Sequence, residues 1–274
     1  MRVELLTGLL RYRRAVVLGA LATVTAAAWA YLLLGGGIEM EMMDMGGGQM
    51  MATLPTWSPG YAVLISVMWW AMMVAMMLPT AAPTVLLVTS LAWDRLANYN
   101  LVPATALLFA SGYLLVWCGF SLAATLLQWG LDNAGLLSER MAFGDAILAS
   151  SVLIAAGVYQ WTPLKDACLR HCRSPTEFLV RHWQPGSLGA VVTGIRHGLF
   201  CLGCCWMLMA LLFVGGLMSL AWVGAIALFV LLEKTMPWGD RKGRPLPVFK
   251  TDASGRPSGS RLGTQVGTRR LSTG

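Results

Sequence analysis

Sulfur and imidazole are the chemistry this sequence offers first. Cys201, Cys204 and Cys205 follow the order C-x2-C-C, and Cys168, His171 and Cys172 the order C-x2-H-C. On a helix, offsets of three and four residues place side chains on one face. Each triplet is therefore a candidate three-ligand site for a soft metal. His197, one turn ahead of Cys201, joins the same face. Thiolates suit Cu(I) and zinc alike, although zinc ordinarily takes four such ligands. Arg170 and Arg173 flank the triplet of Cys168, His171 and Cys172, and positive charge beside a thiol favours the ionised form that binds metal. A buried cysteine is ordinarily a small hydrophobe, but the repeated spacing argues for ligation. The same thiols would serve thiol–disulfide exchange, the competing chemistry. Cys118 stands alone and reads as packing, and His182 as a loop residue.

Methionine is the second signal. Of 17 methionines, 11 fall within residues 40–51 and 68–77. Met40, Met42, Met43, Met45, Met50 and Met51 alternate with Glu39, Glu41, Asp44 and a run of three glycines at 46–48. Thioethers are neutral and soft, and they select Cu(I). The flexible glycines let several sulfurs converge on one ion, and the carboxylates raise the local cation concentration. This segment reads as an outer capture loop. In the second cluster, Met68, Met72 and Met76 form one i, i+4 row and Met73 with Met77 a neighbouring one. Such rows can pass a monovalent soft ion along a membrane without a buried fixed charge. The plain alternative is flexible packing against neighbouring helices. Pro79 and Pro83 each remove a backbone donor, so a kink is expected there.

The elements that carry these residues are membrane spans. Only 12% of the 274 residues are charged and 57% are hydrophobic, with a mean hydropathy of +0.64. Soluble globular chains carry about 25% charged residues, so a soluble enzyme, a disordered protein and a nucleic-acid partner are all poorly supported despite the net charge of +7. About 20 apolar residues cross a bilayer as helix. The expected fold is an all-α integral membrane protein, a six-span helical bundle in contact with the lipid bilayer. Its spans lie at 15–34, about 61–88, 102–127, 144–159, 191–213 and 217–232, the fourth short enough to be partly re-entrant.

Charge sets the expected orientation. Arg2, Arg11, Arg13 and Arg14 precede the first span, and Lys165, Arg170, Arg173 and Arg181 lie between the fourth and fifth. Lys234, Arg241, Lys242, Arg244 and Lys250 follow the sixth, whereas residues 35–60 contain no Lys or Arg. By the positive-inside rule both termini are cytoplasmic. The expected organisation is a basic N-terminus at 1–14, the first span at 15–34, a Met-rich periplasmic loop at 35–60, a core membrane domain at 61–238 and a disordered basic cytoplasmic tail at 239–274.

Several blocks together resemble a bacterial family described as predicted metal-binding integral membrane proteins (domain of unknown function 2182). They are the stretch from Met68 through Met77 to Pro79 and Pro83, residues 157–165, residues 168–175, and Gly198 through Met209 with Cys-Leu-Gly-Cys-Cys-Trp. The closing Glu233-Lys234 agrees with them, and the likeness covers about residues 60–235. The resemblance implies a multi-pass protein of the bacterial inner membrane that binds metal, and it implies no reaction.

Together these features predict a non-enzymatic membrane protein that binds Cu(I), with zinc as the alternative ion. It would move the ion from the outer methionines along the second span to the cytoplasmic Cys/His triplets. No G-x4-G-K-[ST] phosphate loop is present, so any movement is passive or ion-coupled. A homo-oligomer or a metallochaperone partner fits this reading. A thiol–disulfide redox protein and a structural or assembly subunit without metal are the rivals.

Overall fold

A computed structural model of the chain describes residues 2–37, 41–44, 50–53, 56–95, 102–138 and 141–236, with side chains described for 14–37, 56–91, 104–138 and 141–236. Met40, Met45 and the tail from residue 237 lie outside the described residues, as do the side chains of Met42, Met43, Met50 and Met51.

Among the described residues the regular structure is helical apart from one short hairpin. In order it runs α1 (Arg2–Leu33), β1 (Glu41–Asp44), β2 (Met50–Thr53), α2 (Pro59–Arg95), α3 (Val102–Asn133), α4 (Ala146–Tyr159), α5 (Pro163–Arg173), α6 (Pro175–His182), α7 (Gly186–Ala210), α8 (Leu212–Gly215) and α9 (Leu220–Thr235). The hairpin pairs Glu41 with Thr53 and Asp44 with Met50 in antiparallel register. It modifies the all-α expectation within the methionine-rich segment.

Among the described residues, four stretches are long and apolar enough to cross a membrane: Arg14–Leu33, Pro59–Leu91, Ala104–Asn133 and Gly186–Gly215. A fifth follows if α4 and α5, bent by 65° where they meet, form one broken span. The expected sixth span corresponds to α9, whose 16 residues fall short of the about 20 that a bilayer core requires. Large apolar side chains such as Leu107, Leu126, Ile147 and Leu188 are exposed, as a lipid-facing surface demands.

Close backbone contact fixes α7 against α3. A Cβ on Gly194 would stand 2.0 Å from the Phe109 carbonyl oxygen, and one on Gly112 would stand 2.2 Å from that of Val191. Small residues at such a crossing let helix backbones approach where burial of apolar surface supplies no drive within lipid. On the other side of α3, α2 buries Trp69, whose indole N–H donates to Gln128 Oε1 at 2.7 Å.

α2 runs through Pro79 and Pro83 as a single helix. Near those prolines the Met77 carbonyl accepts from Thr80 Oγ1 at 2.8 Å and from the Tyr113 hydroxyl at 3.1 Å. Side-chain hydroxyls from α2 and α3 thus converge on one carbonyl within the proline-containing stretch.

The stretch after α4 is a pair of helices rather than the loop expected from sequence. Thr162 caps α5, accepting from the Lys165 amide, and Pro163 occupies the first turn. Asp166 lies in that first turn and Arg170, His171 and Arg173 in the last, the charge order the helix dipole favours. His182, expected in a loop, ends α6.

Candidate metal centre

Four helices and a tyrosine from a fifth enclose one buried sulfur cluster. On α7, Cys201, Cys204 and Cys205 share a face and are buried. The Cys204 and Cys205 thiols donate back to the Cys201 carbonyl at 3.1 and 2.9 Å. Across the interface with α5, Cys172 Sγ lies 4.0 Å from Cys204 Sγ. From α2, Met77 Sδ lies 4.0 Å from Cys205 Sγ. The Tyr113 hydroxyl of α3 is 3.1 Å from Cys201 Sγ. From α9, Lys234 Nζ donates to Cys201 Sγ at 2.9 Å and to Thr80 Oγ1 at 3.2 Å.

The sulfur spacing suits a soft ion. With a metal–sulfur bond of about 2.3 Å, two sulfurs 4.0 Å apart subtend roughly 120° at a shared ion, a trigonal angle. The donors are thiols and one thioether, the soft set that selects Cu(I). Among the described residues, no three His, Cys, Asp or Glu side chains form a group that could hold a metal ion. The cluster instead consists of two sulfur pairs, Cys172–Cys204 and Cys205–Met77, joined through adjacent residues of α7. All six cysteines are free thiols.

The two predicted triplets thus meet in space, but not as drawn from their spacing. Cys201 is the sixteenth residue of the 25-residue α7, about 22 Å along it at 1.5 Å per residue. The sequence places that triplet one or two turns into its span; the helix starts earlier, at Gly186, and so the thiols sit past its middle. Cys168 packs against the α7 backbone, where a Cβ on Gly203 would stand 2.7 Å from its Sγ. The Tyr159 hydroxyl donates to the Gly203 carbonyl at 2.5 Å beside it.

The histidines leave the triplets. The His171 ring stacks on Phe200, with centroids 4.1 Å apart, and its Nδ1 meets the Ala167 carbonyl at 2.8 Å. His182 contacts His171, Phe178 and Phe200. His197 is buried among Phe109, Tyr113 and Phe178, and its Nδ1 has no hydrogen-bond partner. All three histidines of the chain therefore belong to one aromatic group beside the sulfur cluster.

Of the membrane methionines, Met77 meets the cysteines through its sulfur; Met68, Met72, Met73 and Met76 are buried in the core. Met68 lies by Gly36, its Cγ 3.3 Å from where a Cβ there would stand. Cys118 on α3 is half-buried.

Charged groups fasten the centre. Lys165 of α5 is buried and pairs with the Glu233 carboxylate at 2.5 Å, and it also donates to Gln160. Arg173, at the other end of α5, donates through Nε and Nη2 to the Glu233 carbonyl at 2.8 and 2.6 Å. Lys234 and Tyr113 are the functional candidates that sequence reasoning passed over. The first carried a signal, a lysine closing an apolar helix beside a glutamate. The second carried none.

Residues 66–252 match the family PpoB2, described as a copper chaperone. The matched stretch is more than half of the chain and contains every cysteine and membrane methionine of the cluster. The chain belongs to this copper chaperone family. Membership supports a copper-related role, and it leaves the hairpin methionines outside the matched residues. No curated relative and no solved structure matches the chain.

Proposed function

We propose that this protein is a membrane-embedded carrier of Cu(I), which it holds between α2, α5 and α7 and hands to a partner. The single observation that carries the reading is the pair of 4.0 Å sulfur contacts, Cys172–Cys204 and Cys205–Met77, joined through adjacent buried residues of α7. Its family supplies the metal. Cys172 and Cys204 are the principal sulfur ligands, Met77 the thioether that delivers from the α2 side, and Cys168 a reserve ligand one turn along α5. Zinc is the competing ion, because thiolates serve both.

In the fuller form of this reading the chain crosses the bacterial inner membrane six times, as α1, α2, α3, α4, α7 with α8, and α9, with both termini cytoplasmic. The hairpin methionines collect the ion outside, the buried α2 methionines pass it inward, and a metallochaperone or a second copy of the chain receives it. The protein catalyses no reaction. The metal-binding family named from the sequence blocks and the copper chaperone family describe the same stretch of chain in this view.

The test is the metal content of the purified full chain after growth in copper. The expected result is copper at one ion per chain or more in the wild type, and its loss in Cys204→Ser. A metal-free wild type, or a Cys204→Ser variant with full copper, overturns the proposal. The 4.0 Å approach of Cys172 and Cys204 also favours a second reading, a dithiol that closes to a disulfide. Trapping of a mixed disulfide with a partner in copper-free cells would support it.

A further inference from the structure

Lys234 is buried and its ammonium lies in the sulfur cluster, 2.9 Å from Cys201 Sγ and 3.2 Å from Thr80 Oγ1. Among the described residues the carboxylate ion pairs are Lys165–Glu233 and Arg181–Glu177, so no acid neutralises it. A buried charge without a counter-charge is costly, which calls for an anionic group close to it. The sulfurs are the groups within reach.

We propose that Lys234 makes this centre selective for a monovalent over a divalent cation, an inference that rests on the copper-holding reading above. With Cys201 as the thiolate that faces the ammonium and one further negative charge on the ligand sulfurs, the Lys234 ammonium and one monovalent ion leave the centre with no net charge. A divalent ion in the same place leaves one uncompensated positive charge in a buried, apolar surround. The repulsion between the ammonium and the bound ion also doubles with the ion's charge. Sulfur donors alone serve Cu(I) and zinc alike; the fixed ammonium supplies the discrimination that they lack. Thr80 holds the ammonium in place without cancelling its charge, since a hydroxyl is neutral.

The test offers the purified full chain equimolar Cu(I) and Zn(II) under anaerobic reducing conditions and measures both metals by elemental analysis. Lys234→Gln removes the charge. Thr80→Asp keeps the lysine but places a carboxylate against it, and so covers the case in which the first variant fails to fold. Each is expected to lower the bound copper-to-zinc ratio at least tenfold. Lys234→Arg keeps the charge and is expected to stay near the wild-type ratio. Unchanged ratios in Lys234→Gln and Thr80→Asp, with copper still bound, overturn the selectivity role and leave the carrier role intact. The same holds if Lys234→Arg loses the ratio as fully as Lys234→Gln. A wild type that binds neither metal removes the carrier role and this inference with it.

Discussion

The buried methionines of α2 and the cysteines between α5 and α7 are both rich in sulfur, yet they are built differently. Met72, Met73 and Met76 lie buried in the same core as the cysteines, and among the described residues their sulfurs have no polar partner. The cysteines are wired to polar groups: a tyrosine hydroxyl, a lysine ammonium and a backbone carbonyl all lie within 3.1 Å of one of them. A thioether fills irregular space and tolerates exchange. A thiol set held by hydrogen bonds across four helices has its positions fixed by groups that gain nothing from packing alone. On the proposed carrier reading, the α2 methionines serve passage and the cysteines retention, with Met77 at the junction.

That contrast can be broken or sharpened by substitution. The largest effect on stability is expected from Glu233→Leu, which leaves buried Lys165 without its acid. Removing one partner of a buried ion pair costs about 3–5 kcal/mol, read as a loss of thermal stability in detergent; an unchanged melting temperature would show that α5 is not fastened through Glu233. Next, the double change Cys172→Ser with Cys204→Ser should reduce copper retention about a hundredfold, equivalent to about 2.7 kcal/mol, in a competition against a soluble Cu(I) chelator. Retention near the wild-type level would move the holding role to other sulfurs. A smaller effect is expected from Gly203→Ala, whose methyl would meet Cys168 Sγ at 2.7 Å. The loss should be about 1–3 kcal/mol by overpacking, seen in the same melting experiment.

The smallest effect separates the two regions. Met72→Leu with Met76→Leu should change stability by less than about 1.5 kcal/mol, as volume-conserving core exchanges do, and should leave the copper content of the purified protein unaltered. Copper accumulation by cells should nevertheless fall if these residues line the route. Full accumulation with full expression would reduce the α2 methionines to packing.

Much of the helical layout is legible in the composition, because apolar runs of span length have few alternatives to helix. The α5 helix is harder to see. Its 11 residues include Lys165, Asp166, Arg170, His171 and Arg173, too polar for a span, and its start depends on a local signal, Thr162-Pro163, easily taken for a turn. Within the candidate site, the i, i+3, i+4 arithmetic brings Cys201, Cys204 and Cys205 to one face. It misleads for His171, because neighbouring residues on a helix diverge by about 100°. Cys172 turns towards α7's thiols while His171 turns to Phe200. Tyr113 and Lys234 reach Cys201 from 88 and 33 residues away, and no local pattern encodes partnerships over such distances. Met77 stands out in the sequence only as one of a row of methionines, and the hydroxyl that meets its carbonyl comes from α3.

Glu233 meets α5 twice, holding Lys165 in its first turn by the carboxylate and Arg173 at its last residue by the main-chain carbonyl. Both ends of the cysteine-bearing helix are therefore tied to one point on α9, directly beside the lysine that reaches Cys201. Such a helix cannot peel away gradually from either end. Displacing the close of α9 would disturb both ends of α5 and the ammonium at Cys201 together.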